Sequence, residues 1–173
     1  MEKAQTLQPG DVVVALRLVQ YPEEPYESLS GALGIGVGTA HRAVARLTQA
    51  ALLVPDSRRT IAHNLLEFLV HGLRYTFFAA LGPESMGVPT GPSAPALSNA
   101  FAAERAWVWP YIDGRHRGDS VRPLVPQAPG YAETAPALYD ALSLLDAIRI
   151  GGARERKRAQ ELIQVWLEEN AGE

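Results

Sequence analysis

Eight residues carry the chemistry to be expected of this sequence. They are Gly38, Thr39, His41, Arg42, Arg46 and Gln49 in one stretch, and Arg58 and Arg59 in the next. An arginine fork matches O6 and N7 of guanine, and a glutamine amide matches N6 and N7 of adenine. Gly38, Arg42, Ala45 and Gln49 recur at helical spacing and share a face, flanked by Thr39, His41 and Arg46. Small residues on that face allow close approach to a groove, and the long ones then reach base edges. Arg58 and Arg59 follow Pro55-Asp56-Ser57 as a loop tip suited to phosphate contact or minor-groove insertion. The expected chemistry is recognition of double-stranded DNA, not bond making.

The elements that must position these residues can be traced around them. Ala40, Val44 and Leu47, at i, i+4 and i+7, give the buried side of a helix from about Val37 to Ala50. Tyr26 to Leu33 reads as a shorter helix with Leu29, Ala32 and Leu33 inward. Gly34 closes it as a left-handed cap and Ile35 plugs the turn. A first helix is expected to start near Pro9, with Val12, Val13 and Leu16 at helical spacing. By propensity alone VVVALRLV also suits a strand; a helix is preferred because two more follow. Tyr21 to Pro25 is a loop. Leu52–Val54 and Thr60–Ala62 read as the two sides of a short basic wing.

Charge supports this placement. The 173 residues carry a net charge of -3, but residues 34–63 hold four arginines against one acid, Asp56. Residues 1–33 instead hold five acids against Lys3 and Arg17. The distribution of charge bears on nucleic-acid contact more than the sum does. With no cysteine there are no disulfides or thiolate ligands, which fits a cytoplasmic location. No signal peptide is expected, nor a membrane span, since Glu67, His71 and Arg74 interrupt the stretch from Leu65 to Leu81.

Beyond the wing, Asn64 to about Ala80 reads as one long helix, apolar nearly all round and so buried on more than one side. Gly82 to Ala96 is a Pro/Gly-rich connector expected to run extended across a surface. Trp107 to Ile112 alternates like a strand and meets an Asp113-Gly114 turn, with Ser120 to Val125 as its partner. Pro136 to Ile150 is a helix, broken by Gly151-Gly152. A last helix covers about Ala153 to Glu169 with Ala159, Leu162, Ile163 and Trp166 inward.

The segments SLSGALGI and VGTAHRAVARLTQAALL resemble the winged helix-turn-helix module of MarR-like bacterial regulators. The resemblance implies a second helix lying in the major groove and a wing on the DNA backbone. It implies DNA contact for Gly38, Thr39, His41, Arg42 and Arg46, and for Arg58 and Arg59 in the wing. It covers about a fifth of the chain. Gly36 stands where that family usually has a capping Ser or Thr, and Ala51 where a glycine often closes the recognition helix. GVPTGPSAPAL, WVWPYIDGRHRGDSVRPL and LYDALSLLDAIRIGGARERKRAQELI are similar to the tails of little-characterised bacterial winged-helix proteins, which imply no activity.

Competing readings are weaker. His41, His63, His71 and His116 lack a ligand spacing, so no metal is expected; His71 reads as a core or interface histidine. Gly34-Ile35-Gly36-Val37-Gly38 lacks the strand and lysine of a phosphate loop. Arg154 to Arg158 reads as a solvated face. Trp107, Trp109, Tyr111 and Trp166 read as core or interface; in a sensor pocket, the connector would be its wall. No nucleophile–base pair or scaffolded carboxylate pair points to an enzyme.

The expected fold is mainly α with some β (α+β). A winged helix-turn-helix domain (1–63) leads into an apolar connecting or dimerisation helix (64–81). A connector with a β-hairpin (82–135) and a C-terminal helical hairpin for dimerisation or partner binding (136–173) follow. The expected function is a cytoplasmic, homodimeric transcriptional regulator, a repressor on a pseudo-palindromic operator. It needs no cofactor and no membrane, and is relieved by a small-molecule inducer or a partner protein. The alternative is a winged-helix protein-interaction module, such as an antitoxin-like partner of a neighbouring operon product.

Overall fold

A computed structural model describes residues 5–101 and 104–172. The chain is mainly helical with one small three-stranded sheet, and it divides into two compact units. The first runs to Leu65 and takes back the chain from Asn170 onward; the second is Leu66–Glu169. The three segments distinguished in sequence after residue 63 thus contribute largely to one unit.

In the first unit the apolar spacing yields the helices it predicts. α1 is Pro9–Gln20, α2 Tyr26–Leu33 and α3 Val37–Gln49. The valine-rich run is helical, with Val12, Val13, Leu16 and Leu18 buried. Gly34 has φ 69°, and its N–H caps α2 on the Ser30 carbonyl. The departures at Gly36 and Ala51 have visible consequences. No side chain caps the start of α3. Ala51 takes the left-handed conformation (φ 57°) that usually falls to glycine after a helix. The Leu52 N–H reaches back to the Leu47 carbonyl and the Ala51 N–H to the Thr48 carbonyl, so the closing turn forms without glycine. A hairpin follows, reduced to one antiparallel bridge, Leu53 to Thr60, with hydrogen bonds from Val54 to Arg59 and from Ile61 to Leu52.

The helix expected from Asn64 to Ala80 is a continuous helical run from Ala62 to Thr76, four residues shorter at its end and interrupted by a π turn. α4 (Ala62–Glu67) passes into a π-helical turn (Phe68–Gly72) and α5 (Leu73–Thr76) ends the run. Gly72 closes the π turn against the Phe68 ring, which a side chain there would crowd. Burial is not all round either: Leu65, Leu69 and Leu73 form a single stripe, while Tyr75 and Phe78 are 73% and 81% exposed. His71 is exposed and not in the core.

The second correction concerns the hairpin. β2 (Trp107–Pro110) and β3 (His116–Ser120) flank an Asp113-Gly114 turn closed by the Gly114 N–H on the Tyr111 carbonyl. They are parallel, not antiparallel, and β3 begins four residues before the expected partner strand. The antiparallel partner of both is β1 (Glu84–Pro89), inside the supposed connector. Gly87 faces Pro110 on one side and His116 on the other. A Cβ at Gly87 would overlap the Trp109 carbonyl, and one at Gly114 would overlap the Gly87 backbone. Two glycines therefore let the turn fold around β1 and close a three-stranded barrel.

α6 (Pro95–Ser98) and α7 (Ala128–Thr134) were not marked by periodicity; α8 (Pro136–Ile150) and α9 (Ala153–Glu169) follow it. α8 is the interior helix of this unit, buried from Leu138 to Arg149 except at Asp140. It carries a buried ion pair: Asp146 Oδ1 accepts from Arg149 at 2.8 Å, and its Oδ2 accepts from Thr90 Oγ1 and Trp109 Nε1 at 2.6 Å each. Burial pushes the Asp146 carboxyl up, opposed by the contacts from Arg149, Thr90 and Trp109.

Candidate nucleic-acid interface

α3 supplies the platform. Ala40, Ala43, Val44 and Leu47 are buried, which turns the opposite face outward. Gly38, Thr39, His41, Arg42, Ala45 and Gln49 are all exposed on it. Gly38 opens space beside Arg42, whose Nη2 lies 3.3 Å from Thr39 Oγ1. Thr39 and Arg42 thus form a small polar pair on the first turns of the helix.

Arg46, one turn further on, points the other way. Its Nε and Nη2 donate to Asp11 Oδ2 and Oδ1 at 2.8 and 2.7 Å. Asp11 is 1% exposed and also accepts the Gln8 N–H at 2.8 Å, so one carboxylate caps α1 and ties it to α3. Hydrogen bonding to Asp11, against the opposing effect of burial, raises the Arg46 guanidinium above its ordinary value. Two nitrogens of the Arg46 fork are thus taken up by a buried acid, which gives Arg46 a structural role in the helix pair. A lone acid at the third helical position of an apolar run was the available signal, because a buried carboxylate needs a partner.

A second clamp joins α1 to the start of α2. Arg17 donates twice to Glu24 at 2.8 Å, and Ser28 Oγ donates to it at 2.6 Å. Burial would raise the Glu24 carboxyl, but the hydrogen bonds from Arg17 and Ser28 outweigh it and hold it below its ordinary value.

The tip arginines also divide. Arg58 Nη2 donates to the Glu23 carbonyl at 2.6 Å, and its guanidinium lies 4.7 Å from the Tyr26 ring centre. The same ring stacks on His41 at 3.6 Å with planes 21° apart. His41 and Arg58 are thus brought together through Tyr26, which sequence reasoning had not placed in the site. Arg59 is more open, with 54% of its side chain exposed and its Nε 3.8 Å from Glu23 Oε1. The positive charge reaching solvent is smaller than the count of arginines implies: Arg42 and Arg59 project, while Arg46 and Arg58 are engaged.

No protein family, curated protein or solved structure matches this chain.

In the second unit the aromatic residues separate as well. Trp109 and Trp166 are buried, and each indole N–H is bonded, to Asp146 and to the Ala137 carbonyl. Tyr111 borders a cleft of about 620 Å³ walled by Val88, Pro89 and Pro95 of the connector and by Glu133 and Tyr139. Trp107 borders a separate hollow of about 490 Å³ with Arg105 and Arg154. Arg158 pairs with Glu161 at 3.1 Å on a solvent-facing part of α9. Among the described residues no three His, Asp or Glu side chains are grouped to hold a metal ion. None of the described helices is long and apolar enough to cross a membrane.

Proposed function

We propose that this chain is a sequence-specific, double-stranded-DNA-binding transcriptional regulator with a MarR-like winged helix-turn-helix. The observation that carries the reading is the exposed face of α3: Gly38, Thr39, His41, Arg42 and Gln49 share one side of a thirteen-residue helix whose other side is core. α3 enters the major groove, Arg42 and Gln49 address base edges, and Arg59 meets phosphate. The protein acts as a cytoplasmic homodimer, so two α3 helices read a pseudo-palindrome with half-sites about one helical turn apart. Tyr75 and Phe78, large and open in the single chain, supply apolar surface for the dimer contact. Occupying the promoter represses it. A ligand relieves repression from the 620 Å³ cleft, a volume suited to a small molecule.

The test is fluorescence anisotropy on a labelled duplex from upstream of the protein's own gene, beside scrambled DNA of equal length at near-physiological salt. The expected result is affinity about a thousandfold tighter on the first. Equal weak binding to both removes the sequence-specific reading at that site.

A second reading is favoured by the engagement of Arg46 and Arg58 within the chain and by the net charge of -3. It is a winged-helix module docking a protein, for example as an antitoxin-like partner of a neighbouring operon product. Stoichiometric binding of that product with no DNA affinity separates it from the first.

A further inference from the structure

The loop between α1 and α2 holds Glu23 at φ 60°, a left-handed conformation uncommon for this residue type. Glycine would take that conformation freely but would bring no side chain. Here the side chain has a place. Its Oε1 accepts from Ser57 Oγ at 3.2 Å and lies 3.8 Å from Arg59 Nε, while Ser57 Oγ accepts the Arg59 N–H at 3.1 Å. Its backbone carbonyl accepts from Arg58 at 2.6 Å. One residue thus addresses the hairpin tip in two ways: by main chain it fixes Arg58, already laid on Tyr26, and by side chain it faces Ser57 and Arg59.

These two contacts differ in strength. The Arg58 bond is short, at 2.6 Å, whereas the charges of Arg59 and Glu23, 54% and 52% exposed, are 3.8 Å apart. An exposed pair of that kind is worth little and exchanges readily for a better anion. The Glu23 carboxylate occupies a place beside Arg59 that a phosphate oxygen would otherwise take.

We infer that Glu23 is a specificity-determining residue, an internal stand-in for phosphate that weakens the grip of the hairpin tip on any duplex and leaves discrimination to α3. This rests on the duplex-binding reading above. A phosphate held close by a seated α3 displaces the carboxylate from Arg59; a phosphate met in passing does so less often.

The experiment titrates wild type, Glu23→Gln, Arg59→Ala and the double variant with own-upstream and scrambled duplexes across a salt series. Glu23→Gln keeps the side-chain volume and the carbonyl that holds Arg58. It is expected to tighten scrambled DNA about two- to fivefold. The slope of log affinity against log salt should steepen by about one, and the ratio between the two duplexes should fall. In the Arg59→Ala background the change should vanish. Glu23→Gly, which relaxes the backbone and removes the carboxylate, should reproduce it if Glu23→Gln lowers the melting temperature. Wild type that binds DNA with Glu23→Gln and Glu23→Gly unchanged in affinity and slope overturns the inference. So does an equal gain with and without Arg59, since that is only a general charge effect. Wild type that binds neither duplex overturns the duplex reading itself, and this inference with it.

Discussion

Arg42 and Arg46 stand one turn apart on α3 and do different work. Arg42 is exposed beside Gly38 and Thr39; Arg46 is folded back onto Asp11, a carboxylate 1% exposed. Both belong to the basic excess of residues 34–63. The difference is set by what each meets: Arg42 faces solvent over a glycine, and Arg46 faces the start of α1, where an acid already caps the helix. A basic surface cannot be counted from a sequence, because part of the positive charge holds the scaffold together. The tip repeats the lesson, with Arg58 anchored on Glu23 and Tyr26 and Arg59 open.

The contrast breaks most severely at Asp11. Asp11→Ala removes the partner of Arg46 and the cap of α1. It should cost about 3 kcal/mol in urea unfolding, at the lower edge for a broken buried pair because Arg46 keeps some exposure. The freed Arg46 should also raise affinity for random DNA. A loss below about 1 kcal/mol would show that the clamp does not support α3.

Glu24→Gln should remove about 2 kcal/mol at neutral pH, as a charged hydrogen-bonded pair is lost. The folded-state pKa of Glu24 lies below the ordinary 4.5, so its contribution is fully present above that value. It disappears as pH falls through the depressed value. Unfolding at pH 7 and pH 3 should therefore show a smaller pH dependence in Glu24→Gln than in wild type.

Arg42→Ala is the opposite control, with stability changed by no more than about 0.5 kcal/mol because the side chain is exposed. A larger change in melting would move Arg42 from the exposed face of α3 to the scaffold. Of similar size but opposite in sign to a destabilisation, Ala51→Gly should stabilise by about 0.5 kcal/mol by relieving the left-handed alanine.

The first unit was legible because its signals are local. Periodicity at Ala40, Val44 and Leu47, the cap at Gly34 and the departures at Gly36 and Ala51 each depend on a few neighbouring residues, and each has its counterpart in the structure. What was hidden is long-range. Asp11 meets Arg46 across thirty-five residues, and nothing local says that the fork turns inward. In the second unit the Asp113-Gly114 turn is legible, but its two strands run parallel, with β1 as the antiparallel partner of both. Gly87, which lets β1 pass between them, lies in a segment whose prolines and glycines argue against a strand. Likewise the helix after Ala62 takes a π turn over Phe68–Gly72, which the spacing of an apolar run does not mark. The exposed face of α3 was found in sequence; its neighbours Glu23 and Tyr26 were not, because they reach the tip through a loop and a stacked ring.

The central claim is that the exposed face of α3 reads bases. Its most direct test is the affinity of wild type and Arg42→Ala for the own-upstream duplex and for scrambled DNA under one salt condition. The account predicts a loss of about 1–3 kcal/mol on the first duplex and little on the second. An equal loss on both would contradict it and make Arg42 a phosphate contact.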